Sequence, residues 1–209
     1  MILQKEESTT DTSKCLVLGS GSLARKELLI SVGLSPDKIV IPGIDESVKA
    51  NESPRSYVKR IAAKKADAIY TPKGSFLITA DTIVVAGARI FEKTFDETMA
   101  KEYLKFLSGR RHNVFTAFCV KYNDRVSLNL VKSSLKMRLL KEEEIQTYIS
   151  SREWVGCAGA YSIQGRAKAF FPLISGCFSN VIGLPIPKLI SVLNGLGFSQ
   201  NKNEKRNNH

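Results

Sequence analysis

Runs of apolar and β-branched residues recur along the chain and predict a series of strands. The longest, at 75–87, is apolar on both faces, which is typical of a central strand and not of an edge strand. The turn residues Gly87 and Asn123–Asp124 indicate two antiparallel hairpins. The predicted strands lie at 15–19, 38–42, 75–87, 88–93, 112–122 and 127–140, with strand-like runs near 160–164 and 168–174.

Apolar positions spaced three and four residues apart predict helices between these strands. Capping signals support two of them, because Ser53 and Pro54 precede one helix and Asp96 begins another. The order of elements indicates a mixed α/β fold with several antiparallel strand pairs. The predicted helices cover 22–33, 56–69, 96–108, 141–150 and 187–195.

The length and the ends of the chain suggest a simple organisation. The 209 residues fit one domain over 14–198, and the polar ends at 1–13 and 199–209 are predicted to be disordered. No apolar stretch approaches the roughly 20 residues of a membrane span, and the polar N-terminus lacks the apolar region of a signal peptide. We therefore expect a cytoplasmic protein with no membrane partner. Its four cysteines are expected to be buried, reduced thiols.

The net charge of +11 suits a polyanionic partner. Nucleic acid and the phosphates of a nucleotide both fit this description. A basic surface that is merely solvated explains the charge equally well, so the charge alone leaves the partner open.

The first predicted strand ends in a glycine-rich turn. Gly19, Gly21 and Ala24 match G-x-G-x-x-A, the dinucleotide-binding fingerprint of Rossmann oxidoreductases. The hairpins in the middle of the chain argue against that interpretation, as does Ile39 where an acidic residue is expected. A turn that begins a helix still offers backbone N–H groups, together with the hydroxyl of Ser20, to a phosphate-sized anion. The alternative is a plain turn capped by serine.

A carboxylate interrupts the most apolar strand. Asp81 lies within 75–87, where a charge is costly unless it is paired, hydrogen-bonded or bound to a metal. If the hairpin turns about Gly87, Lys93 faces Asp81 across the strands, with the Cβ atoms roughly 5 Å apart. The pair is then either a simple salt bridge or part of a functional site.

Two further charged positions are candidates for the same site. Lys65 lies on the apolar stripe of the helix at 56–69, so its ammonium either reaches past the stripe to solvent or points into a polar cleft. Asp45 and Glu46 follow a strand in a loop, where they are surface charges or ligands for a hard divalent cation. An anion-binding turn, cations and carboxylates together are what phosphoanhydride hydrolysis requires. No chemistry is assigned to His112.

Nine short blocks, in order, resemble the Maf family of nucleoside triphosphate pyrophosphatases: "GSGSLARKELL", "GIDES", "YVKRIAAKKA", "TADTIVV", "FEKTFD", "YLKFLSGRRHNVFTA", "EEIQTYI", "AGAYSIQG" and "FSNVIGLPI". The resemblance implies an α/β fold with a largely antiparallel central sheet, helices on both sides and two lobes around a cleft. It implies a hydrolase acting on acid anhydrides, of the nucleotide diphosphatase type, that releases a monophosphate and pyrophosphate. It also implies a divalent metal, Mg²⁺ or Mn²⁺, and a homodimer, and it gives no reason to expect nucleic acid as a partner.

The family's functional positions carry over residue by residue. The resemblance implies that Asp81 is the catalytic proton acceptor, and that Glu46 and Asp81 are the best metal ligands. Thr82 and Gln164 occupy positions linked to base choice, and their residue types resemble the branch that acts on dTTP and UTP. The implied substrate-binding residues are Ser20, Ala24, Arg25, Lys65, Lys93, Thr82 and Gln164.

The first turn departs from the family pattern at one of these positions. The family reads Ser-Pro-Arg-Arg there, whereas this chain reads Ser22, Leu23, Ala24 and Arg25. Because Ala24 replaces a fixed, forked cation, we expect a weaker phosphate or base contact. The alternative function is a nucleotide- or nucleic-acid-binding protein with weak or lost activity.

Overall fold

A seven-stranded mixed sheet runs through residues 14–199, the part of the chain that the structure describes. In the computed structural model the strands are β1 (Leu16–Gly19), β2 (Lys38–Ile39), β3 (Phe76–Ala86), β4 (Arg89–Phe91), β5 (Arg111–Tyr122), β6 (Arg125–Lys136) and β7 (Leu173–Ser175). The helices are α1 (Leu23–Ile30), α2 (Pro54–Asp67), α3 (Glu97–Leu107), α4 (Glu142–Ser150), α5 (Phe178–Ile182) and α6 (Ile186–Gly195), with a 3₁₀ helix at Arg166–Phe170.

The strand order is β2-β1-β3-β5-β6-β7, and β4 also pairs with β3. Strand β1 runs parallel to β2 on one side and to β3 on the other, while the other pairs are antiparallel. Parallel neighbours need a crossover connection, and α1 and α2 lie in the two connections that supply it. The predicted mixed, largely antiparallel sheet is confirmed.

Strand β3 has a gap along one edge. Its other edge pairs continuously with β5 from Phe76 to Val85. On the gapped edge, β1 pairs only as far as Thr79, and β4 pairs only from Val84 onwards. Asp81 and Thr82 lie in this gap, so the structure leaves them without a neighbouring described strand on that side.

The two faces of the sheet are covered differently. Successive side chains of β3 point to opposite faces. Asp81 lies on the face covered by α2, where Val58 and Ile61 pack with Ile83. Thr82 lies on the other face, where α1 and α6 contribute to one core cluster and α3 and α4 to a second. The prediction of helices on both sides of the sheet is confirmed, and the two lobes around a cleft stay a prediction.

Several predicted elements differ from the structure. The run at 160–164 is not a strand, because Gly159 and Ala160 have left-handed backbone, with φ of 70° and 56°. The run at 168–174 divides between the end of the 3₁₀ helix and β7. Strand β2 is two residues long, shorter than predicted, and the five-residue helix α5 was not predicted.

The ends of the chain and its cysteines complete the comparison. Residues 1–13 and 200–209 lie outside the described part of the chain, so the disorder predicted there and the domain limits at 14–198 remain predictions. No helix within 14–199 is long and apolar enough to cross a membrane. All four cysteines are free, but burial was predicted correctly only for Cys119. The other three are partly exposed: Cys15, Cys157 and Cys177.

Candidate active site

The structure brings all nine predicted site residues together. A cavity of about 510 Å³ is lined by the β1–α1 turn, by the segment around Lys93 and by residues between 155 and 164. An adjoining cavity of about 320 Å³ contains Asp81 and shares Glu46, Thr82 and Lys93 with the first. The eight predicted residues that line the larger cavity are Ser20, Ala24, Arg25, Glu46, Lys65, Thr82, Lys93 and Gln164.

Serine side chains hold the β1–α1 turn. Ser22 is the N-cap of α1, and its Oγ accepts from the backbone N–H of Arg25 at 3.4 Å. The Oγ of Ser20 accepts from the N–H of Ser22 at 3.2 Å. Gly19 is required by packing, because a Cβ there would lie 2.6 Å from Cγ2 of Thr79 on β3. The first glycine of the apparent dinucleotide fingerprint therefore serves strand packing, and the turn still presents a helix N-terminus to an anion.

Arg25 connects three separate segments of the chain. Its Nε donates to the carbonyl of Gly183 at 2.8 Å, and its two Nη atoms donate to Oγ of Ser20 and to Oγ1 of Thr82, both at 3.0 Å. Burial lowers the pKa of the guanidinium, and the charges of the two site carboxylates oppose that shift. All three acceptors are neutral oxygens, so the positive charge of Arg25 still acts on the cavity.

The carboxylate of Asp81 is paired with Lys65. Nζ of Lys65 donates to Oδ1 of Asp81 and to Oε2 of Glu46, both at 2.9 Å. Lys65 and Asp81 are only 5% and 3% exposed, whereas the side chain of Glu46 is 44% exposed. The ion pair explains how β3 tolerates a buried charge, and it shows that Lys65 points inward from the apolar stripe of α2.

The predicted cross-strand pairing of Asp81 with Lys93 is wrong. The hairpin closes with a two-residue loop, Gly87–Ala88, so that Ala86 pairs with Arg89. This register differs by one residue from a turn centred on Gly87, and a shift of one residue sends a side chain to the other face of the sheet. The partner of Asp81 comes from helix α2 instead.

Lys93 reaches the site beyond the end of β4. Its backbone forms an isolated antiparallel bridge with Ala158, and its side chain lines both cavities. Burial lowers the pKa of its ammonium, and the cations Arg25 and Lys65 lower it further, against the pull of the site carboxylates. Within 14–199 no carboxylate lies at ion-pair distance from Lys93, so its charge is open to a phosphate.

The loop that carries Glu46 is fixed by its neighbours. The carboxylate of Asp45 accepts from the N–H and the hydroxyl of Ser47, both at 2.9 Å, which makes it a turn-forming group. The hydroxyl of Tyr57 donates to the carbonyl of Glu46 at 2.8 Å. Arg60 donates to the carbonyl of Ser47 at 2.9 Å. Of the two adjacent acids, Glu46 is the one presented to the site.

The carboxylates of Glu46 and Asp81 suit a hard divalent cation. Their oxygens converge, since each lies 2.9 Å from the same nitrogen of Lys65. Glu92 lines the adjoining cavity with them. In the described chain no group of three or more His, Cys, Asp or Glu residues is arranged to hold a metal alone. The donor set therefore fits a cation such as Mg²⁺, which commonly binds one or two carboxylates and completes its shell with water and phosphate oxygens.

Thr82 is held by residues that the sequence did not indicate as part of the site. Its Oγ1 lies 3.0 Å from Oγ1 of Thr116 on β5 and 3.4 Å from the carbonyl of Gly183. Thr116 in turn donates to the carbonyl of Asn180 at 2.9 Å. A polar residue inside the apolar run at 112–122 was the available signal, and it is of the same kind as the signal from Asp81.

The backbone that directly follows Gln164 contacts the side chain of Glu153. The carboxylate of Glu153 packs against Gly165, where any Cβ would collide with it. Its Oε2 also accepts from the N–H of Arg166 at 2.6 Å. The glycine after Gln164 was the only local signal of this close approach.

His112 lies behind a residue that lines the larger cavity. Its Nε2 lies 2.9 Å from the hydroxyl of Tyr161, which lines the larger cavity. Burial lowers the pKa of His112 to about 4. The imidazole is therefore neutral near pH 7 and supports Tyr161 by a neutral hydrogen bond.

The chain is similar to known proteins over most of its length. Residues 15–196 match the family described as Maf-like protein. A dTTP/UTP pyrophosphatase of Cereibacter sphaeroides is 43% identical over 182 residues, covering 87% of this chain and 95% of that protein. A nucleoside triphosphate pyrophosphatase of Anaplasma phagocytophilum is 41% identical, covering 86% of this chain and 94% of that protein. The structure of a HAM1 protein from Coxiella burnetii aligns with 86% of this chain and 98% of its own, at 12% identity and a TM-score of 0.47.

Proposed function

The chain belongs to the Maf-like family, and from this premise we propose that it is a nucleoside triphosphate pyrophosphatase that hydrolyses the bond between the α- and β-phosphates. The observation that carries the proposal is the group formed by Asp81, Lys65 and Glu46, which lies at the gap in β3 beside the anion-binding turn. The names of the relatives from C. sphaeroides and A. phagocytophilum support it.

The triphosphate binds to the cations of the larger cavity. The N–H groups of the β1–α1 turn and the hydroxyl of Ser20 donate to phosphate oxygens. Lys65 and Lys93 neutralise the phosphate charge. Arg25 fixes Ser20 by a hydrogen bond and adds positive potential from behind the turn.

Asp81 orients the attacking water and takes its proton. The water oxygen attacks the α-phosphorus, and the bond from that phosphorus to the bridging oxygen breaks as the new bond forms. Pyrophosphate leaves with the electron pair, and the proton passes to the carboxylate of Asp81. Because Lys65 holds Oδ1 at 2.9 Å, Oδ2 is the oxygen that accepts the proton.

Glu46 and Asp81 would hold Mg²⁺ or Mn²⁺. Such a cation, bound together with the triphosphate, neutralises charge on the phosphate oxygens. Lys65 already contacts both carboxylates, so it keeps them close together before the cation binds. Glu46 is the more exposed of the two carboxylates, so it would be the one free to turn from the ammonium of Lys65 toward such a cation.

We propose dTTP and UTP as the preferred substrates. Thr82 and Gln164 both line the larger cavity, and several relatives are named dTTP/UTP pyrophosphatases. Ala24 lines the same cavity and offers no side-chain donor. We therefore expect a weaker phosphate or base contact at this position than an arginine would give.

Location and assembly stay proposals of the same kind. The cytoplasm, expected from the sequence, stays a proposal. The family resemblance supports a homodimer, which light scattering on the purified chain tests. A nucleotide provides the polyanion that the net charge suits, so nucleic acid is not proposed as a partner.

The decisive experiment measures pyrophosphate release from a panel of nucleoside triphosphates. The wild type is expected to release pyrophosphate and monophosphate, fastest from dTTP and UTP. It should cleave β,γ-methylene analogues and leave α,β-methylene analogues intact, because only the α–β bridge is attacked. Asp81→Asn is expected to lower kcat by about 10²- to 10⁴-fold.

A matched variant separates chemistry from folding. Asp124→Asn makes the same change in the exposed turn between β5 and β6, and it should keep full activity. Equal activity in Asp81→Asn and wild type would remove Asp81 from the chemistry. Binding of nucleotides without any pyrophosphate release by the wild type would overturn the enzymatic proposal in favour of a binding protein.

A further inference from the structure

Four large apolar side chains around the larger cavity are exposed. Ile41 and Phe95 are 74% and 77% exposed, and Leu23 and Val155 are also exposed. All four line the cavity that contains the cationic site residues. Single exposed apolar residues are normal on a protein surface, but four on one ligand cavity indicate a surface that a ligand covers.

The backbone on both sides of Phe95 is fixed. The hydroxyl of Thr94 accepts from the N–H of Asp96 at 3.1 Å and donates to the carbonyl of Asp96 at 3.3 Å. Asp96 is the N-cap of α3, and its carboxylate accepts from the N–H of Met99 at 2.7 Å. Phe95 therefore lies between a closed hydroxyl turn and a helix cap.

The ring of Phe95 rests on a glycine. Gly156 has a left-handed φ of 71°, and a Cβ at this position would lie 3.3 Å from the ring carbon Cε1. The N–H of Gly156 donates to the carbonyl of Thr94 at 2.9 Å, which ties the two segments together. The ring is thus supported on one side and exposed elsewhere, which limits the ordering cost of binding to it.

We infer that Phe95 is a base-stacking residue of the nucleotide site, an assignment that rests on the proposed function. The cavity combines anion-binding groups, from Ser20, Lys65 and Lys93, with the four exposed apolar side chains. A ligand that satisfies both needs an anionic end and a flat part with little charge. A nucleoside triphosphate has both, and every base offers a π-face to an aromatic ring.

The shape of the surface favours a nucleotide over a protein or lipid partner. The exposed apolar residues line a concave cavity of about 510 Å³, a size typical of small-molecule sites. The phosphate-binding residues lie in that same cavity. The occupant of the apolar part is therefore the nucleoside of the bound triphosphate.

The test separates the base from the triphosphate. Phe95→Ala is expected to raise KM for dTTP and UTP about tenfold, the effect typical of losing one base–aromatic contact. Inorganic tripolyphosphate carries the anionic chain without a base, so its inhibition constant should change by less than about twofold, as should kcat. Phe95→Trp should restore KM, because tryptophan keeps an aromatic face, and Phe95→Leu should not.

Controls address general damage to the protein. Phe178→Ala removes another exposed phenylalanine that lines neither cavity, and it should leave KM unchanged. An unchanged KM in Phe95→Ala would overturn the assignment. So would a parallel rise in KM and in the tripolyphosphate inhibition constant, because that result would show a distorted phosphate site.

A binding measurement keeps this inference separate from the proposed function. If the wild type releases no pyrophosphate, the proposed reaction fails, but stacking is still measured by the fluorescence of Phe95→Trp. Quenching by dTTP and not by tripolyphosphate would support stacking in a binding protein. Equal quenching by both ligands, or by neither, would overturn it. Wild type supplies the blank, because its one tryptophan, Trp154, is buried.

Discussion

The two faces of strand β3 accommodate buried polar groups in different ways. On one face the carboxylate of Asp81 is balanced by the ammonium of Lys65 at 2.9 Å. On the other face Thr82 accepts from Arg25, whose three protein partners are all neutral oxygens. Asp81 and Thr82, adjacent in sequence, thus belong to opposite faces of the same sheet. We call the face of Asp81 the charge-paired face, and the face of Thr82, on which the hydrogen-bond partners of Arg25 are neutral oxygens, the neutral face.

This difference separates chemistry from recognition. The charge-paired face contains the half-exposed Glu46, so one of its ion pairs can open to admit a cation or a phosphate. The neutral face leaves the charge of Arg25 without an adjacent counter-ion and fixes Ser20 and Thr82 by hydrogen bonds. The first arrangement suits proton transfer, and the second suits a rigid wall that selects a ligand.

His112 extends the neutral face along β5. It lies on the same side of the sheet as Thr116, and its partner is the hydroxyl of Tyr161. Burial keeps its imidazole uncharged near pH 7. The two faces should therefore respond differently to mutation and to acid.

Removing the ammonium of Lys65 from the charge-paired face should cause the largest loss of stability among these variants. Lys65→Met keeps the aliphatic stem but leaves the carboxylate of Asp81 buried without its cation. The free energy of unfolding is expected to fall by about 3–5 kcal/mol, measured by urea unfolding. Lys64→Met, on the same helix and outside the Asp81 pair, should change it by less than about 0.5 kcal/mol.

The double variant Lys65→Met/Asp81→Leu tests the reason for that loss. If the uncompensated charge is the cause, replacing both partners by apolar groups regains most of the lost stability. A double variant no more stable than Lys65→Met would assign the loss to packing of the lysine stem instead.

The charge-paired face could be predicted from sequence because its signals are local. Asp81 interrupts a continuous apolar run, and Lys65 occupies a position on the apolar stripe of its helix. Each residue contradicts the periodicity around it, and the contradiction marks a polar site. The general fold was predictable for the same reason, since the long strands and helices follow clear periods.

The partners of these residues could not be predicted, because they depend on register and on contacts between distant segments. One residue of hairpin register decides that Lys93 does not face Asp81, and Lys65 on helix α2 pairs with Asp81 instead. The contacts of Glu153 and Thr116 join segments that are separated by 13 and 34 positions. Helix α5 is five residues long, too short for its periodicity to be distinguished.

Acid should lower the free energy of unfolding through His112 on the neutral face, by less than the loss of Lys65 does. The pKa of His112 is about 4 in the folded protein and 6.5 when unperturbed. Between these pH values the unfolded state binds a proton that the folded state does not bind. The contribution of His112 to the free energy of unfolding is therefore fully present above pH 6.5. It is lost as the pH drops toward 4, by about 3 kcal/mol in total.

Urea unfolding at several pH values between 4.5 and 7 measures this slope. His112→Phe removes the titrating group and should flatten the slope in that range, whatever its effect on stability at pH 7. An identical slope in the variant and the wild type would mean that other groups cause the acid sensitivity.

Thr116→Val should give the smallest effect and show how rigid the neutral face is. The change keeps the shape of a fully buried side chain and removes the hydroxyl that donates to Asn180 and contacts Thr82. It leaves the carbonyl of Asn180 without this donor, so the free energy of unfolding should fall by about 1–2 kcal/mol. Thr147→Val, where an exposed hydroxyl bonds its own helix, should cost less than about 0.5 kcal/mol.

The kinetic result of Thr116→Val distinguishes support from direct recognition. Arg25 and Gly183 still hold Thr82 in this variant, so the ratio of KM for dTTP to KM for other triphosphates should change less than about threefold. A large change in that ratio, with stability unchanged, would contradict the statement that the neutral face is a rigid wall. It would show that the orientation of Thr82 depends on Thr116 alone, and that selection on the neutral face is set by a single hydroxyl pair.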